Sequence, residues 1–238
     1  MKIMGLCLVA AFLMSAVAVA TASAAGPLFL FSGTKKGFSS VSGAGTLFSP
    51  TGAEIKCTKD TDSGELEGTS QTDKVTNVVV RFTGCTITIL GKTTECKTAG
   101  AGKEVITTNK LEGELGYIPP ATNKEVGLVL KPGAGAGGFF ASLECIVSGV
   151  TVVINVKGEV IGKITPLNKL VDPGEPFTLT YKAVGAKKTE QSPKELIVLG
   201  KEEKELLLLS NEGGGAFGNA GLETSDEVFF LQSTFICA

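Results

Sequence analysis

From Leu28 onward, apolar and β-branched residues come in short runs cut by Gly, Pro, Asn and Asp, and many runs alternate with the two-residue period of a half-buried strand. The pattern predicts strands over Leu28–Phe31, Thr46–Phe48, Ala53–Cys57, Gly64–Thr69, Val75–Phe82, Cys85–Leu90 and Glu104–Thr108. Others are predicted over Leu111–Ile118, Val126–Leu130, Phe139–Cys145, Val150–Val156, Glu159–Ile164, Phe177–Tyr181 and Val228–Ile236. A spacing of about 8 to 12 residues is that of sandwiches and barrels, so the expected class is all-β, an antiparallel β-sandwich or barrel-like domain. Between Lys194 and Leu209, two Leu-rich runs flank Gly200-Lys201-Glu202-Glu203-Lys204, and this reads as a hairpin because its neighbours are strands. Lys131–Gly138, Val171–Pro176 and Gly213–Gly221 read as loops; none runs into a helix or carries the Lys-Ser/Thr of a phosphate loop.

The first 24 residues break this pattern. Lys2 is their only charge, an apolar run from Ile3 to Ala20 follows, and Ala22-Ser23-Ala24 supplies the small residues of a cleavage site. A helical signal peptide over 1–24 and a single all-β extracellular domain over 25–238 are expected, placing the protein in a secreted or cell-surface location. No second apolar run of about 20 residues follows, so no membrane span is expected in the mature chain. An uncleaved leader would instead serve as an anchor.

Composition closes several chemistries. The formal charge is −2, or −3 without Lys2, and Arg81 is the one arginine, so no basic field invites nucleic acid. The chain has no His and no Trp, which rules out a Ser-His-Asp triad, a Cys-His dyad and a histidine-ligated metal within it. Nor does any group of ordinary pKa titrate between about pH 6 and 7.5, and no pH-dependent change is expected there.

Removing Cys7 with the leader leaves Cys57, Cys85, Cys96, Cys145 and Cys237. In a secreted chain these read as disulfides, with one thiol left over. If Leu90-Gly91 is a two-residue hairpin loop, Cys85 faces Cys96 across the strands, which suggests a local staple. Cys57 and Cys145 end similar segments and are assigned to each other, leaving Cys237 free or available for an intermolecular disulfide.

Two carboxylate pairs alternate along predicted strands, Glu65 with Glu67 and Glu112 with Glu114, each about 6.6 Å apart by strand rise. That span overlaps the separation used by inverting glycosidases, but neighbouring acids on one strand are the ordinary sign of a solvated face. Asp60, Asp62 and Glu65 crowd what reads as a turn; the glycine and final acid of a calcium loop are out of place, so turn chemistry is the reading. No catalytic, cofactor-binding or metal residues are assigned, and no cofactor is expected.

Several fragments recur together: Phe82-Thr83-Gly84-Cys85 with Cys96, Ile106-Thr107-Thr108-Asn109-Lys110-Leu111, Glu114-Leu115-Gly116-Tyr117, Val160 to Asn168 (VIGKITPLN) and Gly221-Leu222-Glu223-Thr224. In their order and spacing the chain resembles a family of secreted actinobacterial proteins with no assigned function. The resemblance implies secretion and an all-β build, and brings no activity, cofactor or site residue. The expected function is a non-enzymatic secreted or cell-surface β-protein, a binding or structural component of the envelope with an unknown partner. The alternative is a histidine-free, carboxylate-dependent extracellular glycoside hydrolase acting through Glu112 and Glu114.

Overall fold

A computed structural model describes residues 26–89 and 91–238; the expected leader, with Cys7, lies outside the described residues. The structure is all-β. In chain order the strands begin with β1 (Leu28–Phe31), β2 (Gly37–Ser42), β3 (Gly45–Phe48), β4 (Glu54–Cys57), β5 (Lys59–Leu66), β6 (Gln71–Thr72), β7 (Lys74–Thr83) and β8 (Thr86–Ile89). Next come β9 (Lys92–Lys97), β10 (Val105–Thr107), β11 (Leu111–Tyr117), β12 (Val126–Pro132), β13 (Phe139–Val147), β14 (Val150–Gly158), β15 (Val160–Thr165) and β16 (Lys169–Val171). The last are β17 (Pro176–Tyr181), β18 (Ala183–Val184), β19 (Glu190–Gln191), β20 (Leu196–Val198), β21 (Lys201–Glu203), β22 (Leu208–Glu212), β23 (Gly218–Phe230) and β24 (Thr234–Cys237).

Eight of these close an antiparallel barrel in the order β2, β5, β7, β11, β12, β15, β17, β23 and back to β2. Closure leaves no edge to template aggregation, and alternate residues point inward. Leu66, Val75, Val78, Leu111, Leu115, Ile164, Leu179 and Val228 fill the interior. One end is plugged by the small sheet β16–β24–β1–β6, which drives Phe29 against Phe230 at 5.6 Å, while Phe177 stacks on Phe230 at 5.1 Å. Offset and edge contacts of this kind add to the apolar area each ring buries.

Strand β12 is buried on both faces, which explains the unbroken apolar run from Val126 to Leu130. Its outer face, with Ile161, is covered by Leu196 and Val198 of the β20–β21 hairpin. A hairpin is present there but not between the two Leu-rich runs: its second arm is Lys201–Glu203, whereas Leu208 belongs to β22, which pairs with β14 and β23. Leu199 and Gly200 both have positive φ, as a type I′ turn requires.

A second closed circuit continues the first: β23, β3, β4, β8, β9, β13, β14, β22 and back to β23. The 13-residue β23 serves both, with Gly218–Glu223 in one and Thr224–Phe230 in the other. Chain segments β2–β3, β4–β5, β7–β8 and β14–β15 also pass from one circuit to the next.

Four cysteines form one lateral row on the inner face of this second circuit, Cys57 on β4, Cys85 just before β8, Cys96 on β9 and Cys145 on β13. Two disulfides lie among the described residues, Cys57–Cys85 and Cys96–Cys145. Both expected pairings, Cys85 with Cys96 and Cys57 with Cys145, are therefore corrected. Cys85 does stand opposite Cys96 across the expected hairpin, but there the Cys96 N–H donates to the Cys85 carbonyl at 2.9 Å. A residue hydrogen-bonded toward one neighbour is widely spaced from it, at about 5.5 Å, and sits in the narrow pair with its other neighbour. The two bridges occupy those narrow pairs, with Cα separations of 4.0 and 4.2 Å. Cys237 is also disulfide-bonded, so it is not the free thiol that the odd count suggested.

Several strands differ from expectation: β6, β16, β18 and β19 match no expected run, and the expected strand Val228–Ile236 is divided between β23 and β24. β2 (GFSSVS) had no apolar run to announce it, because two of its inward positions are Ser40 and Ser42. The Asp60–Asp62 region is the strand β5 rather than a turn, and Gly218–Gly221 belongs to β23 rather than to a loop.

Candidate functional site

Each sequence-derived acid has a definite place. Glu112 and Glu114 lie on the outer face of β11, half exposed, with Leu111, Gly113 and Leu115 turned inward. Glu112 pairs with Lys131 at 3.9 Å, and Glu114 is held above the usual carboxylate pKa by partial burial and then by nearby Asp73, with Lys74 and Lys131 opposing. Glu65 and Glu67 are exposed, Glu65 on β5 facing away from the barrel interior. Neither pair stands in a cleft.

Asp60 and Asp62, in contrast, point into the barrel and meet a residue far away in sequence, Asp226 of β23. Asp60 and Asp226 are almost fully buried, 2% and 5% exposed. Ser42 of β2 lies between them: it is opposite Asp226 in the register and donates its hydroxyl to Asp60 Oδ2 at 2.6 Å. One step along, Ser40 is opposite Asp62. Thr224 donates to Asp226 Oδ1 at 3.2 Å, and Tyr181 is buried alongside, its phenol pushed well up by burial and then by the three carboxylates.

Burial raises all three acids because an ion leaves water without a compensating partner. Asp226 is pushed up to about 8, by burial first and then by the charges of Asp60 and Asp62, against the Thr224 hydrogen bond. Asp62 is raised to about 6 by burial and by Asp60, with the Ser40 hydroxyl opposing, and Asp60 is raised by burial against Ser42 and Thr224. These raised values run against the expectation that no group titrates near neutrality. Among the described residues, no group of three or more His, Cys, Asp or Glu side chains is placed to hold a metal ion.

A groove of about 630 Å³ opens on the outside, over β3 and β4. Its floor is Thr46 and Phe48, and Glu54 and Lys56 of β4 flank it. The opposite wall is the strap between β18 and β19, which lies against β23 at Gly221, where the Lys188 carbonyl occupies the space a Cβ would need. Lys188 reaches back over the Phe48 ring at 5.1 Å and pairs with Glu223 at 2.8 Å, while Lys56 pairs with Glu54 at 2.7 Å. The volume falls in the range of ligand sites. Sequence reasoning missed both the groove and Asp226, since no local motif marks either. The one available signal for Asp226 was an acid in phase with the apolar inward positions Val228 and Phe230, two and four residues further on.

Comparison with protein-family models, with curated proteins and with solved structures finds no match for this chain. Function therefore has to be read from the geometry.

Proposed function

We propose that the protein is a non-enzymatic secreted or cell-surface β-barrel that binds a polar component of the cell envelope at the groove over β3 and β4. The observation that carries this is the contrast between a barrel interior packed with side chains and an exterior groove lined by ammonium and carboxylate groups. Paired charges over an aromatic floor suit a ligand rich in hydroxyl and charged groups, such as an envelope polysaccharide. Two disulfides favour an oxidising compartment, and no helix among the described residues is long and apolar enough to cross a membrane.

Co-sedimentation with insoluble envelope polysaccharide tests the reading. Wild type should pellet with the polysaccharide, and the variant carrying Lys56→Glu and Lys187→Glu, two lysines that line the groove, should stay in solution with its fold intact. Equal pelleting of both proteins rejects the groove. Release of reducing sugar by wild type, lost in Glu112→Gln with Glu114→Gln, favours the hydrolase instead.

A further inference from the structure

We propose that Asp60, Asp62 and Asp226 form a proton-held latch along the seam where β5, β2 and β23 run side by side in the barrel wall. The three carboxylates project from the two strands that flank β2, with Ser42 joining one pair and Ser40 set against the third. Among the described residues, the groups facing them are neutral: Phe38, Ser40 and Ser42 on β2, Val78 and Val80 on β7, Leu179 and Tyr181 on β17, Thr224 and Val228 on β23. Among the described residues no lysine or arginine offsets them; Arg81 is exposed, and Lys163 pairs with Glu125 at 2.5 Å. Asp60 Oδ1 and Asp62 Oδ1, both buried, have no hydrogen-bond partner.

Full ionisation would place three negative charges in one enclosed layer, which a low-dielectric interior penalises heavily. Protonation removes charge and converts a carboxylate oxygen into a hydroxyl donor, able to serve acceptors that otherwise have none. The sign follows from the raised values. Each acid binds its proton more tightly folded than unfolded, so stability is greatest below the unfolded values near 4. It falls as pH rises toward about 8, the value for Asp226. The seam ends at the groove: Thr224 adjoins Glu223, and Ser42 lies two residues from Ala44, both groove-lining. Opening the latch would loosen that end of the groove, a consequence that rests on the binding reading and is tested separately.

The test is thermal unfolding of the full mature protein from about pH 5 to pH 9, wild type against Asp226→Asn, an isosteric and uncharged replacement. Wild-type Tm should fall by about 10 °C or more across this range, and most of the fall should vanish in the variant. Side-chain carboxyl ¹³C NMR on the wild type needs no variant and should show carboxyls titrating near 6 and 8. Parallel pH profiles in the two proteins, or all buried carboxyls titrating near 4, overturn the latch. So does calcium abolishing the alkaline loss in wild type, since the layer would then be a cation site. Polysaccharide binding independent of pH, with the melting behaviour as expected, removes only the link to the groove.

Discussion

Removing Cys96–Cys145 should cost more stability than removing Cys57–Cys85, because it closes the longer loop. The bridges span 49 and 28 residues and follow one another along the chain without overlap. In the loop-closure account they therefore restrain separate stretches of the unfolded chain, by about 4.1 and about 3.6 kcal/mol respectively. A Cys85–Cys96 staple would instead close only an 11-residue separation and contribute about 2.8 kcal/mol. Cys96 and Cys145 are fully buried, so replacement by Ala adds a small packing loss to the entropic one. The assay is urea unfolding followed by far-UV circular dichroism on the Cys57→Ala, Cys85→Ala protein, the Cys96→Ala, Cys145→Ala protein and the fourfold variant. Its expected loss of about 7 to 8 kcal/mol is comparable to the whole stability of many domains, and the fourfold variant should be largely unfolded at 37 °C. Peptide mapping without reduction gives the connectivity directly. A recovered Cys85–Cys96 peptide, or a loss below about 1 kcal/mol for either pair, would refute the narrow-pair argument or the loop-closure magnitude respectively.

Phe29→Ala should lose about 3 to 5 kcal/mol in the same urea titration, since it empties the plug against Phe230. Gly221→Ala should lower the melting temperature and displace the strap, read as altered amide shifts at 185–188, because its methyl competes with the Lys188 carbonyl. Glu112→Gln with Glu114→Gln should leave stability within about 0.5 kcal/mol, as expected for half-exposed groups on a solvated face. N-terminal sequencing of the exported protein should begin at Ala25 or Gly26, just ahead of β1; a Met1 terminus on membrane-associated protein would mark a retained anchor.

Much of the fold was legible because strand formation is signalled locally. Where inward positions are apolar and outward ones polar, as from Pro176 to Tyr181, the alternation marks both the strand and its buried face. The pairing of β8 with β9 was readable for the same reason: a short turn sets the register of the strands it joins, and Ile89 does pair with Lys92. The signal failed where function or packing placed polar residues inside. Ser40 and Ser42 hid β2, and Asp60 and Asp62 made β5 look like a turn, because burial of a polar group depends on partners that no local window contains.

Partner choice belonged to the tertiary structure alone. Cys85 has two lateral neighbours, and the backbone hydrogen-bond pattern of the closed sheet decides which lies at bridging distance. Asp226 reaches Asp60 across 166 residues of sequence only because barrel closure brings β23 back beside β2. Alternation along a strand is a property of a few consecutive residues. Which strands become neighbours is a property of the whole chain, and both the raised carboxyl pKa values and the groove under the 185–188 strap arise from that second kind of information.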